Sequence, residues 1–462
     1  MEPIIQKIIE KISKSYEKEI EKLISERKDI SEYVLATKKT LDEVGVALVK
    51  EALETVDQAY KSSKARKRNW VVKSKDDEKT LTTLFGEVDY KRTYYENKKT
   101  GEYSYLSDEA VGIRVHDRLD ASLKAKLIEE AVYMPYSRSG EQAAPTVRLS
   151  SQTVMNSIRE LGSVANNAAK ITQEKKAVRI LYIEADEDHV ALQDKGQIEP
   201  KLVYVHEGKK KVGKDRWKLK NARYFSGVYA NSDELWVEVA DYIDQAYEAD
   251  SIEKIYLSGD GAPWIKNGVS WIKGSHYVLD RYHLSKYVTR ATAHMGYTTP
   301  MMWNYINNND QKSVRELFRA ILNTTETDTK KQSVEEARRY ILSNWEGIKK
   351  QYELDYAGCS AEGHVSHILS SRMSSRPLGW CKTGADQMAR LRVFVTNGGG
   401  IYELFMQRKQ AERNDAKAIE IDQEIVKKRK RAASHECVDN IAILNIGKRS
   451  MASQFLKSVR GA

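Results

Sequence analysis

Apolar positions along this chain change their period, and the changes divide it into regions. Over residues 1–65, Ile4, Ile5, Ile8, Ile9 and Ile12, then Val34, Leu41, Val44, Val46 and Leu48, recur among charges at helical spacing, which predicts amphipathic helix. The basic run KSSKARKRNWVVKSK (61–75) breaks that pattern. After it, TLTTLFGEVDYKRTYYENKKTGEYSYL alternates apolar and polar residues around a KKTGE turn, a hairpin signal whose basic face is either simply solvated or lies along phosphates. Residues 117–162 return to helix. DRLDASLKAKLIEEAVYM places Leu119, Leu123 and Leu127 on one face, and YSRSGEQAA and a turn at Pro145 follow. SSQTVMNSIRELG then reads as a helix capped by Ser150 or Ser151, with Val154, Ile158 and Leu161 inward. The last two helices have the proportions of a helix-turn-helix. Their outward residues Gln152, Thr153, Asn156 and Arg159 are of the kind that read base edges.

From Val178 the pattern becomes that of strands. VRILYIEAD is a nearly continuous apolar run rich in β-branched and aromatic residues, as expected of a strand buried on both faces, and it ends in acid. HVALQ, KLVYVH and ARYFSGVYA read as further strands. SDELWVEVADYIDQAYE is a helix with Leu235, Trp236, Val239, Ile243 and Tyr247 as its apolar stripe, and IEKIYLSGD and SHYVLD are two more buried strands. The order β-β-β-α-β-(α)-β predicts a mixed α/β sheet. A long helical tract runs from about Arg281 to Leu354, before the compact segment CSAEGHVSHILSSRMSSRPLGWCKTGADQMARLRVF and a charged tail containing VKKRKRA (426–432).

Composition narrows the function. A chain of 462 residues is too long for one ordinary core, so two or three domains are expected. Seventy-six Lys and Arg against 66 acidic residues leave a net charge of +10, which favours a polyanionic partner without requiring one. Cys359, Cys381 and Cys437 are too few and too scattered for a disulfide framework or a zinc ribbon. The N-terminus lacks the apolar core of a signal peptide, and no run of about 18 apolar residues occurs to span a membrane. These features predict a soluble, cytoplasmic protein.

The chemistry lies in the acids that close the strands. Metal-assisted phosphoryl transfer needs hard oxygen ligands for divalent ions about 3.5–4 Å apart, and neighbouring strands that end in Asp, with a carboxylate on a helix packed across them, meet that need. Asp186 closes the first buried strand and Asp260 closes the strand after the long helix. Glu362 opens a predicted helix, with Gly358 and Ser360 as break and cap. Glu184 and Asp188 share a strand face with Asp186, so periodicity alone does not choose among the three; Asp186 is preferred because it sits at the strand end. His364, His367 and Cys359 are a weak zinc pattern with no further ligand at diagnostic spacing.

Four segments, YIEADEDHVALQ (182–193), YLSGDGAPWI (256–265), VLDRYHLSKY (278–287) and CSAEGHVSHILSSRMSSRPLGW (359–380), together with TLFGEVDYKRTYY, carry a resemblance across nearly the whole chain. The sequence resembles the ISLre-type family of bacterial insertion-sequence transposases, related to the Mutator-like DDE enzymes. The resemblance implies a ribonuclease-H-like mixed-sheet catalytic domain with an α-helical insertion, preceded by a helical N-terminal region with a β-hairpin and a helix-turn-helix-like segment. The expected division is an N-terminal helical region at 1–75, a DNA-binding region at 76–170, a catalytic domain at 171–281 and 356–400, a helical insertion at 282–355 and a basic tail at 401–462.

Carried onto this sequence, the resemblance makes Asp186, Asp260 and Glu362 catalytic and metal-binding. Asp280 and His283 look like the Asp/Cys-x-x-His signature, and Arg372 and Arg376 like phosphate clamps. Trp264 and Trp380 are either core or stacking residues for an unpaired base. The implied cofactor is two Mg²⁺ ions, with Mn²⁺ as substitute. The implied partners are the terminal inverted repeats and target DNA, bound by a homo-oligomer in a bacterial, nucleoid-associated setting. Two other readings use the same residues differently: a ribonuclease-H-like nuclease without strand transfer, and a domesticated DNA-binding protein with a dead sheet.

Overall fold

The computed structural model describes residues 2–414, apart from 28, 172–173, 215 and 377. The VKKRKRA cluster and Cys437 lie outside the described residues. Within these limits the chain is mixed α/β and divides into two compact units. One holds the described residues up to Ser157 and from Ile401; the other is Ile158–Gly400. No described helix is long and apolar enough to cross a membrane.

In the first unit, helices Glu2–Ser25 and Ile30–Ser62 pack against each other, and Asp29 caps the second by accepting from the Ser31 amide. Ile8 and Val44 are buried, whereas Val34, Leu41 and Leu48 remain exposed. The hairpin differs from the expected one. Its first strand begins at Trp70, inside the basic run, and pairs antiparallel with Gly86–Asn97 across a turn at Leu84–Phe85. The KKTGE turn instead leads into the short strand Tyr103–Ser104. Charged residues fill the outer face of Trp70–Thr83, so its alternation is hidden in the hydrophobicity pattern. Residues expected to open the tail form a helix, Ile401–Asn414, which buries Ile401 and Phe405 and packs on Ala121–Tyr133.

The second unit is built on a five-stranded sheet, here numbered β1 (Ile180–Glu187), β2 (Lys201–His206), β3 (Arg223–Gly227), β4 (Lys254–Gly259) and β5 (Ser275–Leu279). The spatial order is β3-β2-β1-β4-β5. Neighbours among β1, β2 and β3 run antiparallel, while β1, β4 and β5 run parallel. HVALQ contributes only the two-residue strand Val190–Ala191, outside this sheet.

Burial on both faces explains the continuous apolar runs. One face carries Leu181, Ile183, Ala185, Val203, Val205 and Leu257 against Leu235, Trp236 and Val239 of helix Asp233–Ala246 and Ile265 of Pro263–Trp271. Each fully buried aliphatic side chain there contributes roughly 1.5–3 kcal/mol. The opposite face is aromatic and polar, with Tyr182 stacked on Tyr256 and His206, and Tyr204 packed against Tyr224. After β5, five helices between Arg281 and Lys349 bury Leu284, Val288, Phe318, Ile341 and Trp345 in a core of their own.

Candidate active site

Strand pairing brings the acids together. The β1–β4 register pairs Ser258 with Glu184, so one step beyond β4 Asp260 comes level with Asp186. The β4–β5 register pairs Gly259 with Leu279, so Asp280 comes level with Asp260, and its amide donates to the Gly259 carbonyl at 2.8 Å. Three aspartates thus end three adjacent parallel strands on one edge. The backbone at Asp260 is closely fitted. A Cβ on Gly259 would lie 2.8 Å from the Ala185 carbonyl oxygen and from Ile265, and Gly261 turns with φ +95°.

Each acid has a distinct setting. Asp186 is buried and, among the described residues, accepts from the Glu187 amide alone, at 2.9 Å. Asp260 accepts from the Ala262 amide at 2.8 Å, while the Tyr340 hydroxyl donates to its carbonyl. Asp280 caps helix Arg281–Thr292 by accepting from the Tyr282 amide, and its other oxygen lies 2.9 Å from His283 Nδ1. Glu362 is exposed on the short helix Ala361–Val365.

Electrostatics tie the group together. Burial, reinforced by the charges of Asp260 and Glu362, pushes the Asp186 carboxyl up to about 7, against the opposing pull of the Glu187 amide and His283. Burial alone would lower His283. The hydrogen bond to Asp280 and the charges of Asp280, Asp186 and Asp260 outweigh it, so the imidazole is held above its ordinary value.

The donor chemistry fits a hard divalent ion. The charges of Asp260 and Glu362 raise the proton affinity of the buried Asp186 carboxyl, and a cation beside them would relieve it. As they stand, no three His, Cys, Asp or Glu side chains among the described residues converge tightly enough to hold one.

The neighbouring acids on β1 have other partners. Glu184 is almost fully buried. It accepts from the Tyr204 hydroxyl and the Ser360 amide, lies 3.0 Å from His206 Nε2 and 3.6 Å from Lys209 Nζ. Burial would raise its carboxyl, but His206, Lys209 and Tyr204 overcome this and hold it at about 2. Because Ser360 immediately precedes the Glu362 helix, Glu184 anchors the start of that helix to the sheet. Asp188 accepts from Ser370 and Ser374 at 3.0 and 2.8 Å, and its Oδ2 is buried without a partner. Periodicity missed the anchoring role of Glu184. Its signal is the register that sets Glu184 opposite Tyr204 and Tyr182 opposite His206, which is not written in any one strand.

The remaining candidate residues are dispersed. On helix Ser151–Leu161, Val154, Ile158 and Leu161 are buried, and Gln152, Asn156 and Arg159 are exposed, with Thr153 half-buried. The Ser150 hydroxyl accepts from the Thr153 amide, which identifies Ser150 as the cap. Arg372 is buried with its guanidinium over the Trp380 ring, while Arg376 is exposed. Trp380 is buried and donates to the Met373 carbonyl; Trp264 is half-buried between Trp236 and Lys201. His364 packs on Tyr204 and hydrogen-bonds Tyr224, and His367 is exposed.

Residues 23–410 match the model of the family described as "Uncharacterised protein family (UPF0236)", and the chain belongs to that family. Its relatives include three UPF0236 proteins of Caldanaerobacter subterraneus subsp. tengcongensis, each 42% identical over 444 residues. The alignments cover 96% of this chain and 94% of the first relative, 95% and 94% for the second, and 95% and 89% for the third. The printed name of the first carries eleven locus designations, and that of the second carries four.

Proposed function

We propose that this member of the UPF0236 family is a DDE-type transposase of the ISLre type. It binds the terminal inverted repeats of its own insertion sequence, cleaves DNA there and transfers the 3′-hydroxyl ends to target DNA. The observation that carries the reading is the in-register approach of Asp186 and Asp260, with Glu362 near enough to raise the Asp186 carboxyl. The sheet order, with three antiparallel strands followed by two parallel ones, is that expected of a ribonuclease-H-like domain. A relative whose name spans eleven loci also suits a gene that copies itself.

Asp186, Asp260 and Glu362 would hold two Mg²⁺ or Mn²⁺ ions, which supply activation of the attacking oxygen and stabilisation of the leaving oxygen. The protein's own part is positioning. Gly259 allows the two aspartate strands to approach, the Tyr340 hydroxyl fixes the Asp260 backbone, and Glu184 anchors the start of the Glu362 helix. His283, held toward its charged form by Asp280, offers a hydrogen-bond donor to a phosphate oxygen beside the acids. Exposed Gln152, Asn156 and Arg159 are the proposed base-reading positions, with Arg376 as a phosphate contact. The exposed apolar positions Val34, Leu41 and Leu48 favour a dimer or larger assembly on paired ends, in a nucleoid-associated setting.

The test is incubation of purified protein with DNA carrying the element's ends, in Mg²⁺, Mn²⁺ or chelator, scoring cleaved and joined products. Asp186→Asn, Asp260→Asn and Glu362→Gln should abolish both products and retain binding to the ends. Cleavage without joining would identify a nuclease. Binding without cleavage under any metal would identify a DNA-binding protein on an inactive sheet.

A further inference from the structure

Between β2 and β3 the chain forms a small antiparallel hairpin, Lys209–Lys211 paired with Trp217–Leu219. Of the twelve residues from 209 to 220, seven are Lys or Arg and one is acidic, a surplus of six charges in a chain whose net charge is +10. Lys209 is used internally, donating to the Gly358 carbonyl at 2.8 Å and facing Glu184. Lys210, Lys211, Lys214, Arg216, Lys218 and Lys220 are exposed, and none forms an ion pair among the described residues.

The register makes a purely structural role unattractive. Lys210 stands directly opposite Lys218, and like charges facing each other across a strand pair are destabilising. Trp217, opposite Lys211, is 61% exposed although its ring is the largest apolar group on the hairpin. Beside the hairpin opens a cavity of about 1160 Å³ lined by Trp217, Lys218, Lys220 and Tyr224, and by Cys359 and Ser360 just before the Glu362 helix. That is above the usual 300–1,000 Å³ of a small-molecule pocket.

Clustered cations tracking a backbone, with an exposed aromatic ring on which a base can stack, are what sequence-tolerant binding of single-stranded nucleic acid requires. The geometry points to the Lys209–Leu219 hairpin as a grip for an unpaired DNA strand. Its exposed lysines neutralise successive phosphates, and Trp217 stacks on a base at the mouth of the cavity. The inference rests on the reading of this protein as a DNA enzyme, and it assigns a strand-holding surface separate from the acidic edge.

The full chain is titrated with fluorescently labelled oligodeoxythymidine over a range of salt concentrations, by anisotropy. Replacing Lys210, Lys211, Lys218 and Lys220 together by Ala should lower the slope of log affinity against log salt by about 3, at roughly 0.7 per phosphate contact. Trp217→Ala should weaken single-strand binding about 5- to 150-fold, and Trp217→Phe should restore most of it. Because these side chains are exposed, the urea midpoint of Trp217→Ala should match wild type, and that of the lysine variant should match or slightly exceed it as the Lys210–Lys218 repulsion is removed.

Wild-type affinity and salt slope in both the lysine and Trp217→Ala variants would overturn the inference, as would equal binding of poly-L-glutamate or tighter binding of oligouridine. Failure of the wild type to bind any DNA would overturn both this inference and the transposase reading. Hairpin-dependent binding without metal-dependent cleavage would remove the catalytic reading and leave the grip standing.

Discussion

Asp186→Asn is expected to stabilise the metal-free protein while abolishing its activity. The Asp186 carboxyl is buried, and burial together with Asp260 and Glu362 raises it from 3.8 to about 7. Asn is nearly isosteric, and its side-chain oxygen can still accept from the Glu187 amide. A carboxyl whose folded value lies above its unfolded value binds more protons folded than unfolded between those two limits. The contribution of this one group is therefore fully present at low pH and is lost as pH rises from about 4 to about 7.

At about 1.4 kcal/mol per pH unit, the wild type loses on the order of 2 kcal/mol by pH 5 and on the order of 4 kcal/mol by pH 8, relative to a residue that stays neutral. The advantage of Asp186→Asn should grow by that difference across the interval. Urea unfolding in chelator at several pH values, followed by fluorescence, measures it. Excess Mg²⁺ should then stabilise wild type, by about 2.7 kcal/mol at a hundred times the dissociation constant, and leave the variant nearly unchanged. A variant no more stable than wild type at pH 8, or an advantage that does not grow with pH, would refute the reading that burial, reinforced by Asp260 and Glu362, disfavours the charged Asp186.

Three further outcomes follow from neighbouring residues. Glu184→Gln removes the carboxylate that faces buried His206 and Lys209, and should destabilise by roughly 3–5 kcal/mol in urea unfolding. Since the Glu184 carboxyl is held at about 2, below its ordinary 4.5, wild type keeps this contribution above about pH 4.5 and loses it as pH falls toward 2, whereas the variant should lack that part of the acid transition. His283→Ala removes the cation that opposes the rise of Asp186, so the acid limb of the pH–rate profile for cleavage should move to higher pH, with activity reduced roughly 10–100-fold. Gly259→Ala forces a methyl to within 2.8 Å of a main-chain oxygen and should shift the urea midpoint by about 1–3 kcal/mol of lost stability.

Where strong periodicity met local chemistry, the elements could be read directly. The runs around Ile183, Val203, Phe225, Leu257 and Val278 became the five strands of one sheet, and the stripe from Leu235 to Ile243 became the helix on its apolar face. The acids closing β1 and β4 were equally legible, because strand ends are local features, whereas the capping of the next helix by Asp280 came only with the structure. The strand from Trp70 was not legible, since its charged outer face masks the alternation, and the helix from Ile401 was read as part of a charged tail.

Sequence by itself thus determined which segments form the five-stranded sheet and which acids end β1 and β4. Only the tertiary structure decided that Asp260 stands level with Asp186, that Glu184 is consumed by His206, Tyr204 and Ser360, and that Glu362 returns to the sheet after the helices. The physical reason is that pairing register and long-range packing are set by contacts between distant segments. A slip of one residue would turn every side chain of a strand to the opposite face without altering its local pattern.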